Sequence, residues 1–259
     1  MAIGGMPQVM EEWVNSQNVQ QCQLHLNAIQ NTYMDDFGKY AKKVQIKYLD
    51  VLFKKIPRVI SKPFKFTAIS DSYRKRELEP ALQLLHKAGL VHYVYNTYCN
   101  GMPLQAEADF NKFKLIFVDC GLTQAVNGVD LKDWFLNNQK AFINKGELVE
   151  AFVEQEILSY SDPSAKHDLY YWKSNKAGSN AEVDYLMGQN NRVIQIEVKS
   201  GKGSQLQSIR QFLNNRPHTP FGVRFSTHDF SVFDAIHSYP IYAVVNACNA
   251  DLMTFVESD

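Results

Sequence analysis

Cysteine is sparse in this chain, with four in 259 residues. Cys22, Cys99, Cys120 and Cys248 are far apart, and none forms a CxxC pair or joins a histidine at zinc-ligand spacing. That spacing excludes a disulfide scaffold and points to reduced thiols filling cores in a cytoplasmic protein. No apolar run approaches the roughly 18–20 residues of a membrane span, and no signal peptide opens the sequence. There is no GxxxxGK[ST] phosphate loop, so no ATP site is expected. Internal repeats and low-complexity tracts are also absent. The seven histidines are scattered and receive no role. Net charge is zero, with 27 basic and 27 acidic residues, so the whole molecule carries no bias toward polyanions.

The charge is unevenly placed, however. Residues 38–76 hold twelve Lys or Arg against Asp50 and Asp71, a local balance of +10 that the remainder offsets. A surface of this kind attracts polyanions. Apolar residues make up 45% of the chain and aromatics 12%, enough for one large core or two ordinary ones.

Periodicity predicts a helix over 8–35, another over 40–56, and a third from about 72 to 88 that includes Pro80 and ends at Gly89. Strands are predicted at 90–95 and 112–118. Helix, short helix, helix, strand, long turn, strand is the order of a winged helix-turn-helix. Its third helix would start near Arg74, Lys75 and Arg76, where such folds read DNA. A solvated basic face explains the same residues.

A transition spans 119–137, and the rhythm then changes. A helix over 143–160 is followed by strands at 169–172, 183–187 and 193–199, a helix through Leu206 to Leu213, and strands at 222–225 and 241–245. The order is αβββαβ with a trailing strand, which implies a mixed sheet with helices on its faces. The fold class expected is α+β, with a helical, winged-helix-like half at 1–122 and an αβββαβ domain at 123–259.

The chemistry concentrates in Glu182-Val183-Asp184 and Val193-Ile194-Gln195-Ile196-Glu197-Val198-Lys199, an Asp-x12-Glu-x-Lys pattern across a β-hairpin. Strand alternation puts Glu197 and Lys199 on one face, and Glu182, Asp184 and Leu186 on one face opposite Val183, Tyr185 and Met187. Two carboxylates can hold a hard divalent cation, and a lysine beside them can steady a water or a phosphate. A water-exposed sheet face alternates in the same way. On the preceding helix Glu150 and Glu154 lie one turn apart. Glu150 is the candidate there, while Glu147, Glu154 and Glu156 read as surface acids. Ser200, Gly201 and Lys202 could touch phosphate, as could any polar turn.

These residues resemble the PD-(D/E)xK nuclease superfamily, with its restriction-endonuclease-like fold. More closely, the chain resembles the C-terminal region of AAA-type ATPases that carry a DUF4143 domain. The resemblance rests on Gly4-Gly5-Met6-Pro7, Tyr48-Leu49-Asp50, Ala88-Gly89-Leu90-Val91, Phe113-Lys114-Leu115 and Asp119-Cys120-Gly121-Leu122. Gly146-x3-Glu150-x2-Val153-x2-Glu156-Ile157, Tyr171-Trp172, Glu182-Val183-Asp184 and Ile196-Glu197-Val198-Lys199-Ser200-Gly201 complete it. The resemblance implies Asp184 and Glu197 as ligands of Mg²⁺ or Mn²⁺, with Glu150 completing or orienting the set and the Val198 carbonyl adding an oxygen. It implies that Lys199 aids the attacking water.

Two features depart from that family. The ATPase module is missing, so the chain looks like a C-terminal piece or a protein without its motor. Residues 140–227 carry eleven Lys or Arg against nine Asp or Glu, only +2. The expectation is a Mg²⁺-dependent nuclease-like domain acting on nucleic acid, DNA favoured. The alternative is an inactive DNA- or protein-binding module working with an ATPase. A pure dimerisation or sensing domain is a third possibility.

Overall fold

A computed structural model describes residues 1–136, 145–161, 169–174, 181–189, 192–199, 207–214, 216, 219 and 221–249. The chain forms two compact units, and neither is continuous in sequence. The first comprises Met1–Tyr93 and Lys114–Phe152, the second Val94–Phe113 and Val153–Asp259.

The first unit is helical. It opens with α1 (Pro7–Ser16) and α2 (Val19–Tyr40), where the apolar spacing predicts one helix. The break has a local cause. Gln17 adopts φ +51°, and Asn18 caps α2, its Oδ1 accepting from the N–H groups of Gln20 and Gln21 at 3.0 and 3.2 Å. Asn is among the best N-caps, so Asn18→Ala is expected to cost about 1 kcal/mol, read as a lower midpoint in denaturant.

Next come α3 (Lys43–Lys55), the short α4 (Phe66–Ile69) and α5 (Lys75–Lys87). Pro80 sits inside α5 and removes one backbone donor without ending the helix. Leu52 and Phe53 of α3 and Leu78, Leu82 and Leu85 of α5 are fully buried. Phe53 meets Phe37 edge-on at 5.6 Å and Phe117 at 5.2 Å, the arrangement aromatic rings prefer.

The strands β1 (Val91–Thr97) and β2 (Ala108–Phe117) follow, close to the two predicted at 90–95 and 112–118. They do not stand as a free wing. β1 pairs in parallel with a later strand, Val94 opposite Leu169. Two helices, α6 (Cys120–Val126) and α7 (Leu131–Leu136), occupy the stretch read as a transition. The long α8 (Lys145–Ser159) then runs from the first unit into the second.

The GGMP and DCGL segments that carry the family resemblance are joined in the first unit. Asp119 is the N-cap of α6, and its carboxylate accepts from Leu122 N–H at 2.7 Å and from Gly5 N–H at 2.6 Å. Burial pushes its carboxyl above the ordinary range, and these N–H bonds oppose the shift. Gly4 has φ +75°, and a Cβ there would collide with the Asp119 carboxylate. A Cβ on Gly121 would collide with the Ile3 carbonyl and come 2.8 Å from Gly4 N. Gln124 Nε2 closes the clasp by donating to Ala2 O at 2.9 Å.

The second unit is built on the sheet. Its strands are β3 (Leu169–Lys173), β4 (Glu182–Gln189), β5 (Arg192–Lys199), β6 (Gly222–Ser226), β7 (Ser231–Phe233) and β8 (Ile236–Pro240). Helix α9 (Gln207–Asn214) links β5 to β6, and α10 (Val244–Asn249) follows a short 3-10 turn. Among the described residues the sheet has eight strands in the order β2-β1-β3-β4-β5-β6-β8-β7. β4 is antiparallel to both of its neighbours, β3 and β5, and β6 is parallel to β5, as a helical crossover requires. The α+β class expected from the sequence is thereby established.

Two local expectations are overturned. Residues 241–245, predicted as a strand, form a 3-10 turn and the start of α10, because Pro240 fixes φ and cannot donate to a sheet ladder. The hairpin β7–β8 has no counterpart among the predicted strands. His237 and Ser238 are polar yet buried in it, which hides the strand pattern.

One core cluster gathers Cys99, Leu104, Tyr170, Trp172, Val183, Leu186, Val193 and Phe212. Arg216 ties the 98–99 turn to it. Its guanidinium lies 4.2 Å from the Phe212 ring centre and 4.9 Å from that of Trp172, and donates to the carbonyls of Cys99 (2.7 Å) and Tyr98 (2.9 Å). Burial pushes the Cys99 thiol up to about 11, so it remains a neutral core group.

Candidate functional site

β5 is a central strand, and its residues from Val193 to Val198 are all buried. Gln195 is fully buried and donates to Ile209 O on α9 at 3.2 Å. A Cβ on Gly222 of β6 would come 2.6 Å from Ile209 Cδ1 and 2.7 Å from Gln195 Nε2, so α9 lies close on this face. The polar alternation of β5 is therefore not that of a water-exposed sheet.

Glu197 continues that face and is only 4% exposed. Lys199, two residues on and a third exposed, forms an ion pair with it. Burying a carboxylate is costly unless a charge or hydrogen bonds compensate. Lys199 supplies that compensation, with its ammonium toward the more open end of the strand.

Asp184, 9% exposed, is held by a different device. β4 and β5 pair in register from Tyr185–Ile196 to Gln189–Arg192. Beyond the Tyr185 rung, Asp184 Oδ2 accepts the N–H of Val198 at 2.8 Å. On its other side β4 pairs with β3 through Tyr170–Leu186 and then Trp172–Val183. Three steps on β4 thus answer two on β3, which is a β-bulge around Asp184 and Tyr185. The bulge corrects the regular alternation expected for this strand. Val183 and Leu186 fall in one core cluster instead of on opposite faces. Bulges re-aim side chains, and here the re-aimed residue is an acid bound to the backbone between Glu197 and Lys199.

The helix acids fall differently from expectation. Glu154, read as a surface acid, is fully buried, with no exposed area. It belongs to the second unit, with Asp184 and Glu197. Glu150, the candidate from the sequence, is half-buried and belongs to the first unit. Glu147 is held by Lys62 at 2.7 Å, and Glu156 is half-buried. An acid on a helix whose neighbours Val153 and Ile157 are core is the signal that could have found Glu154.

Among the described residues, no three His, Cys, Asp or Glu side chains come together as a ligand group. Asp184 is bound to the backbone of Val198, and the residues on either side of Val198, Glu197 and Lys199, pair with each other. The donor chemistry suits a hard cation, since both carboxylates supply the oxygen ligands Mg²⁺ prefers. Ser200, Gly201 and Lys202 lie outside the described residues.

Arg74, Lys75 and Arg76 are exposed at the start of α5 in the first unit. Cys22, Cys99 and Cys120 are buried and in no disulfide, as their spacing implied. No helix among the described residues is long and apolar enough to cross a membrane.

Two family models match the sequence. One, described as "Domain of unknown function (DUF8612)", matches residues 1–133, a family the sequence motifs did not suggest. The other, described as "Domain of unknown function (DUF4143)", matches residues 145–244 and bears out that part of the resemblance. No curated protein matches the chain. The chain belongs to the DUF8612 family, whose model spans half of it, and carries a DUF4143 domain over residues 145–244.

Proposed function

We propose that the second unit is a metal-dependent hydrolase of nucleic-acid phosphodiesters, of the PD-(D/E)xK type, and that it works beside an AAA-type ATPase. The observation that carries this reading is the Glu197–Lys199 ion pair joined through Val198 N–H to Asp184 on a bulged strand. Three polar side chains are gathered at one end of a central hairpin where a core would favour apolar ones. Buried charge groups of this kind concentrate at functional sites.

In this reading Asp184 and Glu197 hold Mg²⁺ or Mn²⁺. When bound, the cation lowers the pKa of a water and offsets charge on the phosphate. Asp184 is oriented for this by the Val198 N–H. Lys199 is a positive point charge beside Glu197, and it holds the attacking water or a phosphate oxygen. The helix acid is Glu150 or Glu154. Hydrolysis kept in Glu150→Gln and lost in Glu154→Gln assigns the role to Glu154, and the reverse result assigns it to Glu150.

The direct test follows end-labelled DNA and RNA oligonucleotides with Mg²⁺ or Mn²⁺, wild type against Lys199→Met. Cleavage by wild type that falls by orders of magnitude in Lys199→Met is expected. Equal cleavage by both would sink the assignment.

A second reading is an inactive nucleic-acid- or protein-binding module serving an ATPase. It is favoured by the charge of residues 140–227, only +2, where a surface that cleaves nucleic acid would be more positive. Oligonucleotide binding without cleavage under any divalent metal would select it.

A further inference from the structure

The first unit holds a cluster that the carboxylate pair does not use. Around the start of α5, basic side chains are interleaved with aromatic rings. Tyr73 stacks edge-on against Tyr48 at 5.0 Å, and Phe64 against Phe66 at 5.1 Å. Lys47 Nζ lies 4.8 Å from the Tyr48 ring centre and 5.6 Å from that of Tyr73, and Lys75 Nζ lies 5.8 Å from that of Phe66. Lys65, Arg74, Lys75 and Arg76 are exposed around them, while Phe64, Phe66 and Tyr73 are half-buried. Asp71 is the exposed acid in the same loop.

The rings are anchored from below. Tyr48 is buried, and its hydroxyl donates to Glu77 Oε1 at 2.8 Å. Glu77 Oε2 accepts from Arg74 N–H at 2.9 Å, so one carboxylate fixes both the Tyr48–Tyr73 stack and the backbone of Arg74. The bond from Arg74 N–H, and then that from Tyr48, hold the Glu77 carboxyl below its usual range, so it stays ionised.

This chemistry fits one class of partner best. A recognition helix in the major groove meets a duplex with the cationic and hydrogen-bonding side chains of its N-terminal turn and has no use for aromatic rings beside them. On α5, Lys75 is paired with Glu79 at 3.5 Å, and Pro80 follows on the exposed side, so the basic character ends within one turn. Single strands need something else: cations that track the backbone and rings on which unpaired bases stack. The cluster offers both within the α4–α5 corner.

We propose that this corner binds single-stranded nucleic acid, with Phe64, Phe66 and Tyr73 as stacking surfaces and Lys47, Lys65, Arg74, Lys75 and Arg76 on the phosphates. The proposal rests on nucleic acid being the partner class and does not need the hydrolytic step.

The test is fluorescence anisotropy of the full chain in EDTA, with a labelled oligo-dT strand and a blunt duplex of equal length. The single strand is expected to bind tighter, by about tenfold or more. Tyr73→Ala weakens the single strand about tenfold and Tyr73→Phe does not, because the ring is kept. Lys65→Glu, Arg74→Glu and Arg76→Glu together shallow the salt dependence by roughly 0.7 log units for each phosphate they no longer neutralise. Equal affinity for duplex and single strand overturns the proposal. So does a charge-reversed triple variant that binds as wild type, or binding of anionic phosphatidylserine vesicles with none to oligonucleotide. Because metal is absent, binding can survive where hydrolysis fails, and the two readings fall separately.

Discussion

Glu197→Gln and Asp184→Asn are each expected to lower metal-dependent hydrolysis on the order of 10³-fold. A bound cation supplies several kcal/mol of transition-state charge stabilisation, and about 1.36 kcal/mol is a factor of ten in rate. Both changes are isosteric, so packing around the hairpin is kept. They differ in what they leave behind. The neutral amide of Glu197→Gln no longer balances Lys199, but that lysine is a third exposed and reaches solvent. The amide of Asp184→Asn keeps an oxygen able to accept from Val198 N–H, so the bulge persists. Melting temperature should therefore move little while activity is lost. A large loss of stability accompanying the loss of activity would mark the pair as structural. Hydrolysis rates, metal titration and thermal melts on the same samples separate the two outcomes.

Gly4→Ala and Gly121→Ala are expected to destabilise the first unit, each by roughly 3 kcal/mol or more. At Gly4 two penalties add: a left-handed backbone that L side chains avoid, and a Cβ within 2.6 Å of Asp119 Cγ. At Gly121 the backbone is ordinary, and the collision with Ile3 and Gly4 carries the effect. Neither obstacle is the flexible end of a side chain. Asp119 is fixed by its bonds to Gly5 and Leu122, and the other obstacle is main chain. Gly5→Ala is the control, since its nearest neighbour stands 3.8 Å away, in ordinary contact. Thermal melting should show losses of about 6–12 °C for the first two and little for the third. If all three melt alike, the clasp does not govern this unit.

How much of this is legible in the sequence varies by residue. The β4–β5 hairpin is readable because Val183 to Met187 and Val193 to Val198 are largely apolar, β-rich runs separated by a polar turn. The bulge at Asp184 is not, because an extra residue on β4 is defined only against β3, whose pairing no local pattern encodes. Glu154 escapes for a related reason. α8 buries Leu148, Val149, Ala151, Val153 and Ile157, which surround much of the helix. Such a helix has no single apolar stripe from which to assign an outer face. The break at Asn18 is hidden because the apolar period continues across it, while one capping side chain decides. The GGMP and DCGL motifs stand out in the sequence, yet their mutual contact spans more than a hundred residues and needs the fold.

The buried setting of the site follows from the same topology. A strand covered on both faces offers a dry place for charge, where electrostatic interactions strengthen. Glu197 and Asp184 occupy that place because Lys199 and Val198 N–H compensate them.

The measurement that tests the central claim most directly is a calorimetric titration of Mn²⁺ into wild type and into the Asp184→Ala, Glu197→Ala double variant, each with an uncleavable oligonucleotide present. The account predicts binding by wild type and its loss in a folded double variant. Equal binding by both proteins, or none by wild type, would contradict it.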